Sequence, residues 1–191
     1  MAKAAGETRD KILQAAFHLF YRKGFARVGI DEIASAAGVT KRTLYYHFTS
    51  KDEVLADMLA VQHALAMERV DRWASARAVT ATEAVRMTFA EFTDWITRPG
   101  FAGAGMSRLA TELADLPGHP ARAIARRHKE AVETWFAGLL KRCGVIEPER
   151  RARELVILIE GTVVLSIIHG TTAYAKAAEQ AAMALIADEG A

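Results

Sequence analysis

The sequence of 191 residues contains a single cysteine, Cys143, which excludes an internal disulfide and any metal site made of several cysteines. No apolar run reaches the roughly eighteen residues that cross a bilayer, and the N-terminus lacks the hydrophobic stretch of a signal peptide. These absences predict a soluble, cytoplasmic protein that makes no membrane contact and holds no metal or cofactor.

Sustained alternation of apolar and polar residues, the pattern of a half-buried strand, is also absent, whereas alanine is abundant and prolines number only four. Glycines fall mostly where helices would end. We therefore expect an all-α fold with helices over nine ranges: 7–23, 30–37, 41–48, 50–76, 82–98, 102–115, 119–143, 149–169 and 172–188. Residues 1–51 are expected to form a three-helix N-terminal domain, which the long helix joins to a C-terminal helical bundle within a second domain, 52–191.

Positive charge is concentrated near the N-terminus. Residues 1–51 hold nine Lys and Arg against four Asp and Glu, whereas the remaining residues hold 16 against 19. A basic head on a mildly acidic body indicates that the head meets a polyanion, although many solvated helix faces are equally basic.

Residues 30–48, IDEIASAAGVTKRTLYYHF, have the pattern of a helix, a tight turn and a second helix. Gly38 can adopt the left-handed conformation that the turn requires, and Thr40 can cap the helix that follows. Leu44 and Phe48, four residues apart, give this second helix a buried face. The pattern therefore predicts a helix-turn-helix.

The opposite face of this second helix points outward, where it fits the major groove of B-DNA. Ser50 and Glu53 are expected to begin the next helix with a capping box. Lys51 stands at the start of that helix, where the Lys51 ammonium and the exposed backbone N–H groups can bind a phosphate together. The cations and hydroxyls on the outward face can bind phosphates, and its hydrogen-bond donors can contact base edges. The expected DNA contacts are Thr40, Lys41, Arg42, Thr43, Tyr45, Tyr46, His47 and Lys51.

The segments ILQAAFHLFYRKGF and IDEIASAAGVTKRTLYYHFTSKDEVL closely resemble the N-terminal pattern of the TetR/AcrR family of bacterial transcriptional regulators. The resemblance covers about residues 8–59 and includes the three-helix spacing, the Ala-Gly-Val turn and the Leu-Tyr-Tyr-His-Phe run. It implies that the third helix reads double-stranded DNA, with Tyr45 and Lys51 on phosphates. It implies a mixture of base and backbone contacts for Lys41, Arg42, Thr43 and Tyr46.

One feature departs from the family pattern. The family usually has Thr or Ser just before the second helix, where a hydroxyl caps this helix and touches phosphate. This chain has Val28 and Gly29 there, so we expect that contact to be missing.

The resemblance further implies that the C-terminal domain binds a small-molecule effector, which releases a repressor from its operator. Apolar stripes over 82–98 and 119–143 are consistent with a cavity, and polar groups beside them could orient a ligand. His128 on such a stripe can bond a ligand, although a core histidine with satisfied hydrogen bonds is the commoner case, and the aromatic residues of the stripes suit a plain core equally. The expected ligand contacts are Phe89, Phe92, Met106, Arg108, His128 and Trp135.

The last two helices are too apolar for the outer surface of a monomer. Leu155, Leu158, Ile159, Val163 and Ile167 all lie within one of them. We expect these helices to form a homodimer interface. A two-fold dimer would place two recognition helices roughly 34–36 Å apart on a pseudo-palindromic operator.

Two rival classes of function remain open. An enzyme has little support, because the sequence has no H-E-x-x-H, phosphate-loop or G-x-S-x-G motif, and Arg108 and Glu112, at i, i+4 spacing, are more simply a surface salt bridge. A nonspecific or architectural DNA-binding protein would share the basic head but would not need a large apolar body. An activator also remains open, because the direction of regulation depends on where the operator lies.

Overall fold

The computed structural model describes residues 2–73, 80–101, 103 and 105–187, with side chains from residue 6 onward. These residues form nine α-helices and no strand, which confirms the all-α prediction. The helices are α1 Ala2–Lys23, α2 Ile30–Ala36, α3 Lys41–His47, α4 Lys51–Trp73, α5 Ala81–Ile96, α6 Gly105–Glu112, α7 Pro120–Arg142, α8 Pro148–His169 and α9 Ala173–Ala187. None of them is both long and apolar enough to cross a membrane.

The helix boundaries differ from the sequence predictions at a few positions. α1 begins at Ala2 rather than near residue 7, because the intervening residues are mostly alanine, the best helix former. α6 ends at Glu112, three residues before the predicted end. The predicted helix ends at residues 76 and 188 lie outside the described residues.

The chain divides into two compact units. Unit 1 consists of Met1–Ala64 and Gly105–Arg127, and unit 2 consists of Leu65–Ala104 and His128–Ala191. The sequence predicts a single division after residue 51 instead. The difference arises because distant residues of α6 and α7, such as Leu109 and Ala125, belong to the same apolar core as α1 to α3.

The core of unit 1 holds the three N-terminal helices together. Ile12, Ala16 and Phe20 of α1 are fully buried, as the periodicity of α1 predicts, and Ile33 of α2 packs among them. α2 and α3 have seven residues each, too few to be stable alone, so this core is what keeps them helical.

The core of unit 2 contains the apolar stripe of α5. Phe89 and Phe92 are buried as predicted, and α9 packs against α5. The predicted stripe of α7 is buried at His128 and Leu139, whereas Trp135 is only half-buried and the neighbouring Phe136, which was not predicted, is fully buried. The indole Nε1 of Trp135 donates to Oδ1 of Asp71 at 2.7 Å, which places this ring at the edge of the core.

Candidate nucleic-acid interface

Helix α3 is anchored by its two predicted apolar residues and by its cap. Leu44 and Phe48 are buried, at 0% and 1% exposed. Oγ1 of Thr40 accepts a hydrogen bond from the backbone N–H of Thr43 at 3.0 Å, which confirms Thr40 as the N-cap, and the two threonine hydroxyls pair at 2.8 Å. The preceding turn contains Gly38 at φ +66°, a left-handed conformation that favours glycine, as predicted.

The outward face of α3 carries large side chains that the core does not use. Tyr46 is 81% exposed and Tyr45 is 48% exposed, and Arg42 is exposed beside them. The ring of His47 meets the ring of Tyr46 edge-on, with centroids 5.2 Å apart. The structure therefore brings these expected DNA contacts together on one face.

Lys41 is paired within the head. Its ammonium lies 3.0 and 3.1 Å from the two carboxylate oxygens of Asp31 on α2. This hydrogen bond and the attraction of the carboxylate raise the pKa of Lys41 above its ordinary value, so the side chain stays charged. Its charge is partly offset by Asp31, which weakens its pull on a phosphate relative to a lone lysine.

Lys51 at the start of α4 fastens the segment between α1 and α2. Its Nζ donates to the carbonyl oxygens of Phe25 and Val28, at 3.0 and 3.1 Å, and lies 4.0 Å from the centre of the Phe25 ring. These bonds use two of the three donors of the ammonium. The contact of Lys51 with a phosphate stays a prediction. A phosphate bound there would share the ammonium with these two carbonyl oxygens.

The departure from the family pattern before α2 has a structural reason. Val28 is 1% exposed and fills part of the unit 1 core. Gly29 stands at the N-cap of α2, and no side chain bonds there. α2 therefore begins without a side-chain cap, and the loss of the phosphate contact stays a prediction.

The predicted capping box begins α4. Oγ of Ser50 accepts from the backbone N–H of Glu53 at 3.1 Å, as predicted. The carboxylate of Glu53 bonds back to Thr49 rather than to Ser50, accepting from both its backbone N–H and its hydroxyl. These bonds lower the pKa of Glu53 below its ordinary value of 4.5.

The lowered pKa of Glu53 gives a pH-dependent contribution to stability. A carboxyl group with a depressed pKa in the folded state stabilises the fold fully above its unfolded pKa, and this stabilisation is lost as pH falls through the folded value. We expect Glu53→Gln to lower the free energy of unfolding most near pH 7, and the deficit to shrink below about pH 4.5. Urea denaturation at several pH values measures this. A deficit that stays constant with pH would assign the effect to shape rather than to charge.

Two residues of α6 bond to the backbone at the end of α1 and in the turn that follows it, contacts that the sequence did not predict. The carboxylate of Glu112 accepts from the backbone N–H groups of Phe25, at 3.1 Å, and Ala26, at 2.7 Å. Nη1 of Arg108 donates to the carbonyl oxygen of Tyr21 at 2.8 Å. The predicted salt bridge between Arg108 and Glu112 is therefore replaced by bonds from each side chain to the backbone.

Gly24, at φ +85°, makes room for this arrangement. A Cβ atom there would lie 3.0 Å from Oε2 of Glu112, closer than carbon and oxygen normally approach. Glu112 and Lys51 thus hold Phe25 from both sides, one through its N–H and the other through its C=O.

We expect Glu112→Gln to lower the free energy of unfolding by about 1–3 kcal/mol, because an amide offers one acceptor oxygen where the carboxylate offers two. Urea denaturation of the variant measures the loss. Glu91→Gln, an exposed change on α5, is the matched control and should leave stability unchanged. A variant as stable as the parent chain would mean that the turn holds without Glu112.

The six expected ligand contacts divide between the two units. Met106 and Arg108 belong to unit 1, where Met106 is buried in the core and Arg108 bonds to the backbone. The other four belong to unit 2: Phe89, Phe92, His128 and Trp135. Of these, Phe89, Phe92 and His128 are buried, at 0%, 1% and 8% exposed.

Sequence profiles of one family match both parts of the chain. The profile described as bacterial regulatory proteins of the tetR family matches residues 12–58. The profile described as a tetracyclin repressor-like C-terminal domain matches residues 118–188. Together the two matches span more than half of the chain.

Relatives with curated names point in the same direction. The HTH-type transcriptional regulator TtgR of Pseudomonas putida is 42% identical over 59 residues, which are 31% of this chain and 28% of TtgR. The chain therefore matches less than a third of the length of that relative. YxaF of Bacillus subtilis (strain 168), also named an HTH-type transcriptional regulator, is 27% identical over 168 residues, or 85% of this chain and 86% of YxaF.

Solved structures share the fold over almost the whole chain. SCO4454 of Streptomyces coelicolor, a TetR-family transcriptional regulator, superposes with a TM-score of 0.88 at 25% identity, over 97% of each chain. The reduced form of E. coli NemR has the same TM-score at 20% identity, over 97% of this chain and 100% of NemR. The chain belongs to the TetR family of bacterial regulatory proteins.

Proposed function

We propose that this chain is a DNA-binding transcriptional regulator that reads an operator with α3 and acts as a repressor. The observation that supports this most directly is the exposed face of α3, where Arg42 and Tyr46 stand on a helix anchored by buried Leu44. A guanidinium and a phenol on such a face are the groups that contact base edges and phosphates. Membership of the TetR family supports the same function.

Within this proposal the α3 side chains have different roles. Arg42 and Tyr46 read base edges, and Tyr45 and Lys51 contact phosphates. The remaining expected contacts already have partners within unit 1, through a hydrogen bond, an ion pair or a ring contact: Thr40, Lys41, Thr43 and His47.

A homodimer formed through α8 and α9 is part of the proposal. Leu155 and Val163 of α8 are buried within unit 2, so they pack inside the monomer rather than across an interface. Other residues of α8 form an outward apolar stripe: Ile157, Val164 and Ile168 are 64%, 49% and 68% exposed. An apolar stripe this exposed marks an association surface, and a two-fold dimer would cover it with its own copy.

A small-molecule effector that releases the operator completes the proposal. Phe89, Phe92, His128 and Trp135 stay candidate ligand contacts because they belong to one unit. The same proposal places the protein in the cytoplasm, where bacterial DNA lies, and assigns it no enzymatic activity.

Selection of bound sequences from a random duplex pool, at near-physiological salt, tests the function. We expect a pseudo-palindromic motif for the parent chain and none for a variant that carries Arg42→Ala and Tyr46→Ala. Binding without an enriched motif, steeply weakened by salt, would support the nonspecific rival instead.

A further inference from the structure

The ends of α4 and α5 in unit 2 carry a cluster of aromatic rings that we name the Trp95 platform. The ring of Trp95 lies 6.4 Å from Trp73 and 5.0 Å from Phe101, measured between centroids. All three rings are half-buried, and Phe92, 6.1 Å from Trp95, is buried beneath. The platform therefore keeps part of its aromatic surface accessible.

One arginine lies over this platform, and two others stand close to it along the chain. The guanidinium carbon of Arg69 lies 5.5 Å from the centre of the Trp95 ring. Arg72 follows one helical turn later on α4, so it shares the same face. Arg98 lies in the turn after α5, where its N–H donates to the carbonyl of Trp95 at 3.4 Å and its carbonyl accepts from the N–H of Phe101 at 3.1 Å.

Arg69 experiences the like charges of two neighbouring arginines and has no carboxylate partner among the described residues. Burial, together with the like charges of Arg98 and Arg72, lowers the pKa of Arg69. Among the described residues, none of the three guanidiniums forms an ion pair, whereas Arg150 and Arg153 elsewhere in unit 2 pair with glutamates. Residues 74–79, which follow α4 in the sequence, contain no Asp or Glu.

Helix electrostatics explain only part of this arrangement. Arg72 in the last turn of α4 offsets the negative end of the helix dipole. That effect involves Arg72 alone and does not account for Arg69 and Arg98, because like charges repel. A bound anion would remove the repulsion, and the aromatic surface would bury an apolar ring.

We propose that the Trp95 platform binds a small aromatic carboxylate, whose ring stacks on Trp95 and whose carboxylate pairs with Arg69 and its two neighbouring arginines. Guanidinium groups bind carboxylates in a bidentate geometry, and aromatic rings prefer offset or edge contacts with one another. Binding of an aromatic carboxylate to the platform does not depend on the proposed function. The further claim that this ligand is the effector rests on that function.

Isothermal titration of the full chain with 2-naphthoate tests the site. We expect binding that is about tenfold or more weaker for Arg69→Gln, which keeps a polar, unbranched side chain and loses the guanidinium charge. Arg98→Gln, an exposed change, should weaken binding in the same direction and guards against a folding defect in the first variant. Arg86→Gln, also exposed but placed on α5 away from these rings in sequence, is the matched control and should bind as the parent chain does.

Two further probes separate charge from ring stacking. The neutral analogue 2-naphthalenemethanol lacks the carboxylate, and inorganic phosphate lacks the ring, so both should bind more weakly than 2-naphthoate. The proposal is overturned by any of three results: no binding of 2-naphthoate up to about 1 mM, undiminished binding by both folded arginine variants, or equal binding of either probe.

The titration is then repeated with operator DNA present. Release of the operator by 2-naphthoate would identify the platform as an effector site. Binding of 2-naphthoate without release would support the platform as a site and contradict only its link to the proposed regulation.

Discussion

Replacing Arg42 and Tyr46 together by alanine is expected to weaken operator binding about 100-fold or more, because each good contact to a base is worth about 1–3 kcal/mol. Both side chains are exposed on α3, and neither belongs to the core of unit 1. Surface substitutions of this kind change stability by about 0.5 kcal/mol or less. The loss should therefore appear in DNA affinity and not in the melting temperature.

Fluorescence anisotropy with the selected operator and with a scrambled duplex, at one fixed salt concentration, measures both parts of this loss. Arg86→Ala on α5 is the control for removal of one positive charge. A loss confined to the operator assigns the two residues to base reading. An equal loss on both duplexes would move them to phosphate contacts, and an unchanged affinity would refute the role of α3.

Ile168→Glu is expected to convert a dimer into monomers. The side chain is 68% exposed in the single chain, so the change costs the monomer little. In a two-fold interface it would place two carboxylates in an apolar contact, and burial of each unpaired charge costs several kcal/mol. We expect the dimer dissociation constant to rise by about 1000-fold or more, with operator binding weakened in parallel.

Sedimentation equilibrium gives the dissociation constant directly. Ile146→Glu is the matched control, because Ile146 is 65% exposed but lies between α7 and α8 rather than on the stripe. If Ile168→Glu remains a dimer while the chain is folded, the interface lies elsewhere.

The parts of the head that sequence predicts well are those that local chemistry determines. The left-handed Gly38, the cap at Thr40 and the buried pair on α3 each depend on residues within a few positions along the chain. A single sequence contains these signals in full. For this reason the exposure of Arg42, Tyr45 and Tyr46 could be predicted from the sequence.

The contacts that sequence does not predict join distant residues. Glu112 bonds to Phe25 and Ala26 across 87 and 86 positions, and no periodicity marks a carboxylate for a particular backbone N–H. The burial of Phe136 in place of Trp135 has a related reason. Both residues are aromatic neighbours on α7, and the partner of the indole N–H, Asp71, lies 64 positions away in the sequence.

The residues that hold α3 and the residues that it presents outward are different residues. Leu44, Phe48 and Thr40 secure the helix, while Arg42 and Tyr46 contribute nothing to the core. Substitutions at the outward positions are therefore expected to leave folding intact. Under the proposed function, a duplicated copy of this gene could change its target one outward position at a time while each variant still folds.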